Sequence, residues 1–71
     1  MMEIKASMAG SVWKIVAQEG EKVEADQDVV ILESMKMEIP IAAEQAGTIK
    51  EIKISEGEFV NEGDVIAILE E

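Results

Sequence analysis

Apolar side chains along this chain come in short bursts: Val12 and Ile15, Val29-Val-Ile-Leu, Ile39 and Ile41, Ile49 with Ile52 and Ile54, and Val65-Ile-Ala-Ile-Leu. Most of these residues are β-branched and spaced by two or three, which predicts short strands rather than helices. Glycines 10, 20, 47, 57 and 63 are read as turn signals between them, recurring about every ten residues as in all-β chains. The runs at 29–32 and 65–69 are apolar on both faces, as expected of strands buried between layers. In the segment after the centre, Met37, Ile39 and Ile41 alternate with Glu38, Pro40 and Ala42, so one face is predicted to be buried. Pro40 cannot donate to a ladder and so predicts an edge strand or a bulge. Residues 17–28 have some helical propensity, but Gly20 within them argues for a loop.

The chain also resembles itself. Shifted by 37 positions, A-G-S-V-W-K-I from Ala9 falls on A-G-T-I-K-E-I from Ala46, and Q-E-G-E-K-V from Gln18 falls on S-E-G-E-F-V from Ser55. The match runs on without a gap, placing Ile4 on Ile41, Ala6 on Ala43, and V-V-I-L-E from Val29 on I-A-I-L-E from Ile66. Residues 1–34 and 38–71 are thus two copies of one pattern within a single expected domain, 1–71. Only Met35-Lys36-Met37 has no counterpart. Two copies are too few for a solenoid, so a domain with quasi-two-fold symmetry is expected. Asp26 stands where the second copy has Gly63, and Asp tolerates the left-handed region better than most residues, so the turn there should be strained but intact.

Composition narrows the function. The chain has 71 residues, no Cys and no His, which removes thiolate and imidazole catalysis, the usual zinc ligands and disulfide staples. A chain of this size buries roughly 60% of its unfolded surface and has little scope for an enclosed active site. Sixteen acidic residues against six Lys give a net charge of −10, which repels nucleic acid and anionic membranes. No apolar run approaches a membrane span, and the first residues show neither a basic n-region nor an apolar h-region. A cytoplasmic, monomeric domain that works with proteins or small molecules is expected.

The pattern joins the strand ending at Leu32-Glu33 to the one beginning near Glu38 by a tight hairpin through Ser34 to Met37, with Lys36 at its tip. Such turns prefer Asn-Gly, Asp-Gly or Gly-X, which tolerate positive φ. Met-Lys with a second Met is an expensive choice unless something else requires it. Most M-K-M triplets are two core residues around a solvated charge. Here the triplet sits at the pseudosymmetry centre, where a long primary amine on a rigid turn suits covalent attachment and two thioethers offer an adaptable recognition surface.

Glu33-Ser34-Met35-Lys36-Met37-Glu38 is similar to the attachment sequence of biotinyl carrier domains, E-A-M-K-M or E-S-M-K-M. The glycines, V-x-x-G-D-V and the I-L-E strand ends extend the resemblance over nearly the whole chain, closest to small biotin/lipoyl attachment proteins and carboxyl carrier domains. It implies a flattened barrel or sandwich of two four-stranded antiparallel sheets, with the modified lysine on an exposed hairpin away from the termini. It also implies that a biotin protein ligase joins biotin to Lys36. The tethered biotin is then carboxylated on a ureido nitrogen by a biotin carboxylase and delivers the carboxyl group at a carboxyltransferase, while the domain performs no bond chemistry. Glu33, Ser34, Met35, Met37 and Glu38 are the implied recognition residues. Asp26 departs from the family's usual Gly. There is no insertion between Ala6 and Val29 long enough to form the thumb of some carriers.

Two alternatives differ in class. Lipoyl carriers share the fold and the lysine, with lipoate as the cofactor, but their motif is like E-T-D-K-A, with an acidic residue where this chain has Met35. A non-acylated interaction module would keep the barrel and bind through the hairpin. Trp13 is expected to cover the core. The acidic residues at 19, 21, 24, 26 and 28 are read as a solvated loop rather than a calcium site, because they lack the spacing of an EF-hand.

Overall fold

The computed structural model describes residues Met1 to Glu71 and contains eight strands and no helix: β1 (Met2–Lys5), β2 (Gly10–Ile15), β3 (Lys22–Val23), β4 (Asp28–Ser34), β5 (Met37–Ala42), β6 (Gly47–Ile52), β7 (Phe59–Val60) and β8 (Val65–Glu70). They form two four-stranded sheets, β1-β8-β6-β3 and β5-β4-β2-β7, in which every pairing is antiparallel. The all-β sandwich expected from the sequence is the observed fold. Residues 17–28 hold turns around β3, with no helix.

The shift of 37 positions carries each strand of one sheet onto a strand of the other. β2 falls on β6 and β3 on β7 residue for residue, β1 falls within β5, and β4 falls on β8. Each sheet therefore draws two strands from each half of the chain. The hydrophobic core repeats the same rule. Its sixteen buried residues are eight pairs at that offset: Ile4 and Ile41, Ala6 and Ala43, Val12 and Ile49, Ala17 and Ile54, Val23 and Val60, Val29 and Ile66, Val30 and Ala67, Leu32 and Leu69. Burying each of the larger side chains contributes about 1.5–3 kcal/mol relative to exposure. No buried side-chain N or O atom lacks a partner.

Hydrogen bonds outside the ladders obey the same symmetry. The Gly20 N–H donates to Ile49 O at 2.7 Å and the Gly57 N–H to Val12 O at 2.8 Å. Glu19 Oε2 accepts from the Ile52 N–H at 2.9 Å, and its counterpart Glu56 Oε2 accepts from the Ile15 N–H at 3.1 Å. Within the loops, Glu21 Oε1 accepts from the Gln18 N–H and Glu58 Oε1 from the Ser55 N–H. The acidic loop is thus partly a set of backbone acceptors, a role that charge alone did not reveal.

Three sequence expectations are corrected. Runs 29–32 and 65–69 are not sandwiched between further layers. Register shifts skip Val29 opposite β5 and Ile66 opposite β1, so two consecutive side chains, Val29 and Val30 or Ile66 and Ala67, turn inward. These are β-bulges, which break the period of two. Gly10 and Gly47 open strands β2 and β6 rather than form turns, and glycine is needed there because a Cβ on Gly47 would stand 2.7 Å from Glu70 O and one on Gly10 3.0 Å from Glu33 O. Trp13 does not cover the core. It is the extra residue of a bulge between Val12 and Lys14 and is 45% exposed, with Lys14 Nζ 5.4 Å from its ring centroid. Pro40 stands in β5, an edge strand, as its missing N–H required. Asp26 has φ 69° yet keeps the bond that Gly63 makes in the other half: Asp26 N–H to Ala43 O at 2.8 Å, Gly63 N–H to Ala6 O at 2.9 Å.

Candidate functional site

β4 and β5 form the longest ladder of the hairpin-bearing sheet, with Leu32 opposite Ile39, Glu33 opposite Glu38 and Ser34 opposite Met37. Leu32 is fully buried and Ile39 packs partly against the core, which anchors the ladder just below the turn. Met35 and Lys36 alone make the connection. Their φ values are 52° and 67°, so both central residues are left-handed, as a type I′ turn requires. For residues with a Cβ this conformation costs about 1–2 kcal/mol each. The turn is held in it by the register of the two strands. Backbone strain of this kind gathers at functional sites.

The surroundings of the turn are equally unusual for a plain connection. Met35 is 91% exposed and Met37 65%, so both thioethers face water. Glu33 and Glu38 are exposed and directly opposite each other, a like-charge pair that destabilises the ladder. Ser34 is half-buried beside them. Lys36 itself is exposed. Lys5, Lys50 and Lys53 lie 3.7, 3.9 and 3.3 Å from Glu carboxylates and Lys14 lies over Trp13, whereas Lys36, like Lys22 in the opposite sheet, has no such neighbour. The structure brings all six residues 33–38 into one protruding hairpin. Its pseudosymmetry counterparts are the chain termini, in the opposite sheet.

A rigid turn that holds one unengaged primary amine in water, framed by exposed methionines, can serve as an attachment point for a covalently carried group. The site has no enclosed cavity. The one pocket of the molecule, about 620 Å³, is an open groove near β3, β6 and Glu71, in the sheet that does not carry the hairpin.

Comparison with known proteins identifies this architecture. Residues 1–69 match the biotin/lipoyl family described as "Biotin-requiring enzyme", and the chain belongs to that family. It is 54% identical over 65 residues to the biotin/lipoyl attachment protein of Bacillus subtilis, covering 92% of this chain and 89% of that protein. Among solved structures, the urea carboxylase of Kluyveromyces lactis superposes with a TM-score of 0.91 at 34% identity over 96% of this chain, which corresponds to 6% of the carboxylase. The lipoyl domain of the 2-oxoglutarate dehydrogenase complex from Azotobacter vinelandii superposes with a TM-score of 0.80 at 31% identity, covering 100% of this chain and 98% of that domain.

Proposed function

We propose that Lys36 is the covalent attachment site for biotin and that the chain is a carboxyl carrier. The observation that carries this reading is the Met35-Lys36 turn itself: two strained, exposed residues at the tip of an otherwise well-packed ladder, with the amine free of any carboxylate. A biotin protein ligase presents biotin as its adenylate. The Lys36 ammonium first loses a proton to solvent; the neutral amine then attacks the acyl carbon, the acyl–phosphate bond breaks, AMP leaves, and the nitrogen loses a second proton as the amide forms. The chain's own residues act on position alone. β4 and β5 fix the turn, Met35 and Met37 give the ligase an adaptable apolar grip, and Glu33 and Glu38 present a negative edge. When bound, biotin supplies a ureido nitrogen that accepts and releases a carboxyl group. The domain acts as the carrier, not the catalyst, raising the effective concentration of the arm at a biotin carboxylase and then a carboxyltransferase in the cytoplasm.

Lipoate on the same lysine is the second reading, favoured by the likeness to the Azotobacter vinelandii lipoyl domain. Met35, in place of the acidic residue before the lysine, favours biotin. Incubation with biotin protein ligase, ATP and biotin is expected to label the wild-type chain once and to leave Lys36→Arg unlabelled. Label retained by that variant would overturn the assignment.

A further inference from the structure

The quasi-two-fold symmetry holds inside the molecule and fails on its surface, and the failure has a direction. All sixteen core residues pair apolar with apolar. Of the seven large apolar side chains left exposed, six lie in or beside strands of the hairpin-bearing sheet: Met8, Trp13, Val16, Met35, Met37 and Phe59. The exception, Met1, lies against Lys50 Nζ. Four of the six have symmetry counterparts, and every counterpart is polar: Gln45 for Met8, Lys50 for Trp13, Lys53 for Val16 and Lys22 for Phe59. The opposite sheet is thus an internal control, with the same backbone and register but a charged outer face.

The register places this apolar surface beside the hairpin. Phe59 pairs with Ser11, Ser11 with Glu33, and Glu33 with Glu38. Val60, Val12 and Leu32 point inward, so this row points outward. Phe59 is 62% exposed there. Lys14 pairs with Ile31 and Ile31 with Pro40, a second outward row, and the Trp13 ring lies beside Lys14. Phe59 pairs with Ser11, two residues before Trp13 on β2, so the only aromatic residues of the chain stand on adjacent strands β7 and β2. The fold has no need of either ring outside, since Lys serves at both positions in the other sheet.

We propose that the outer face of the hairpin-bearing sheet, centred on Phe59 and Trp13, is the docking surface for the enzyme that acylates Lys36; this rests on the reading of Lys36 as an attachment site. Before acylation the reactive nitrogen stands on only its four-carbon stem, so that enzyme must close directly onto the hairpin. A specific interface covers about 800 Å² of each partner, far more than a two-residue turn, and so must spread onto flanking surface. The flank offers two exposed aromatics, the residue class that dominates interface energetics. The unpaired Glu33 and Glu38 run along the same row. The matching surface is an apolar recess with cationic side chains on its hairpin side.

The test uses the full chain and a biotin protein ligase. Trp13→Lys/Phe59→Lys copies residues already tolerated at the symmetric sites and is expected to fold, with an unchanged pattern of core amide signals. Its KM as ligase substrate should rise at least about tenfold, the effect of losing one or two interface anchors, at nearly unchanged kcat. Lys22→Phe/Lys50→Trp on the opposite sheet should leave KM unchanged. As a measurement free of substitutions, titration of the ¹⁵N-labelled wild-type chain with the ligase should broaden Ser11, Trp13 and Phe59 together with the hairpin, and spare Thr48 and Lys22. An unchanged KM in the double Lys variant, or broadening confined to residues 34–37, would overturn the docking surface while leaving attachment intact. A wild-type chain that takes no label would instead overturn attachment, and the docking proposal with it.

Discussion

Ser34 and Met37 form the last register pair of the β4–β5 ladder, and only Met35 and Lys36 lie beyond them. That relationship fixes the turn length at two residues and forces both into the left-handed region, where neither Met nor Lys is favoured. A hairpin selected for stability would carry Asn-Gly at these positions.

Replacing Met35 by Asn should therefore separate folding from function. Asn adopts φ near 52° more readily than Met does, so urea unfolding should show a gain of about 0.5–1 kcal/mol, part of the left-handed penalty. Labelling by ligase should slow at the same time. A variant that is both less stable and normally labelled would contradict the view of Met35 as a recognition residue.

The two methionines can be tested for packing as well. Because both are exposed, Met35→Leu/Met37→Leu should change stability by less than about 1.5 kcal/mol, as other volume-conserving swaps do. The change should appear in the labelling rate. Loss of folding in the double variant would mean that the side chains are structural.

Much of this was legible in the sequence because the core repeats. Pairs such as Leu32 with Leu69 and Val23 with Val60 are identical in the two copies, and the unmatched triplet Met35-Lys36-Met37 falls where the two patterns meet. The bulges were not legible. An apolar doublet such as Val29-Val30 looks the same whether a third layer covers it or the strand slips by one residue, and Trp13 was misplaced because the bulge at that position turns its ring outward. Gly10 and Gly47 read as turns because glycine signals a turn far more often than a backbone crossing too close for a Cβ. Nor could spacing show that Glu19 reaches the Ile52 N–H 33 residues away.

The close crossing at Gly47 makes a sharp stability prediction. Gly47→Ala puts a methyl 2.7 Å from Glu70 O and 2.9 Å from Leu69 Cγ, neither of which is free to retreat without opening β8. Thermal unfolding should show a loss of about 1–3 kcal/mol, the range for overpacking a core. Gly20→Ala meets nothing within 4 Å and should lose only the left-handed backbone cost, about 1–2 kcal/mol, so Gly47→Ala should disturb the β8 amide signals and Gly20→Ala should not.

Because each sheet takes strands from both halves, residues 1–34 and 38–71 made separately should each be disordered by circular dichroism and NMR. Neither fragment contains a complete sheet, and about 35 residues bury too little apolar surface to offset chain entropy. The whole chain should unfold in one cooperative transition. A stably folded half would contradict the interleaved architecture that holds the hairpin rigid.

The most direct test of the central claim is tandem mass spectrometry of the intact chain after co-expression with a biotin protein ligase, in medium supplying both biotin and lipoate. The account predicts one added mass, that of a biotinyl amide, on every fragment ion that contains Lys36, and none on ions that contain Lys50 or Lys53 without Lys36. A lipoyl mass at Lys36, modification at another lysine, or an unmodified chain beside a fully labelled control carrier would contradict it.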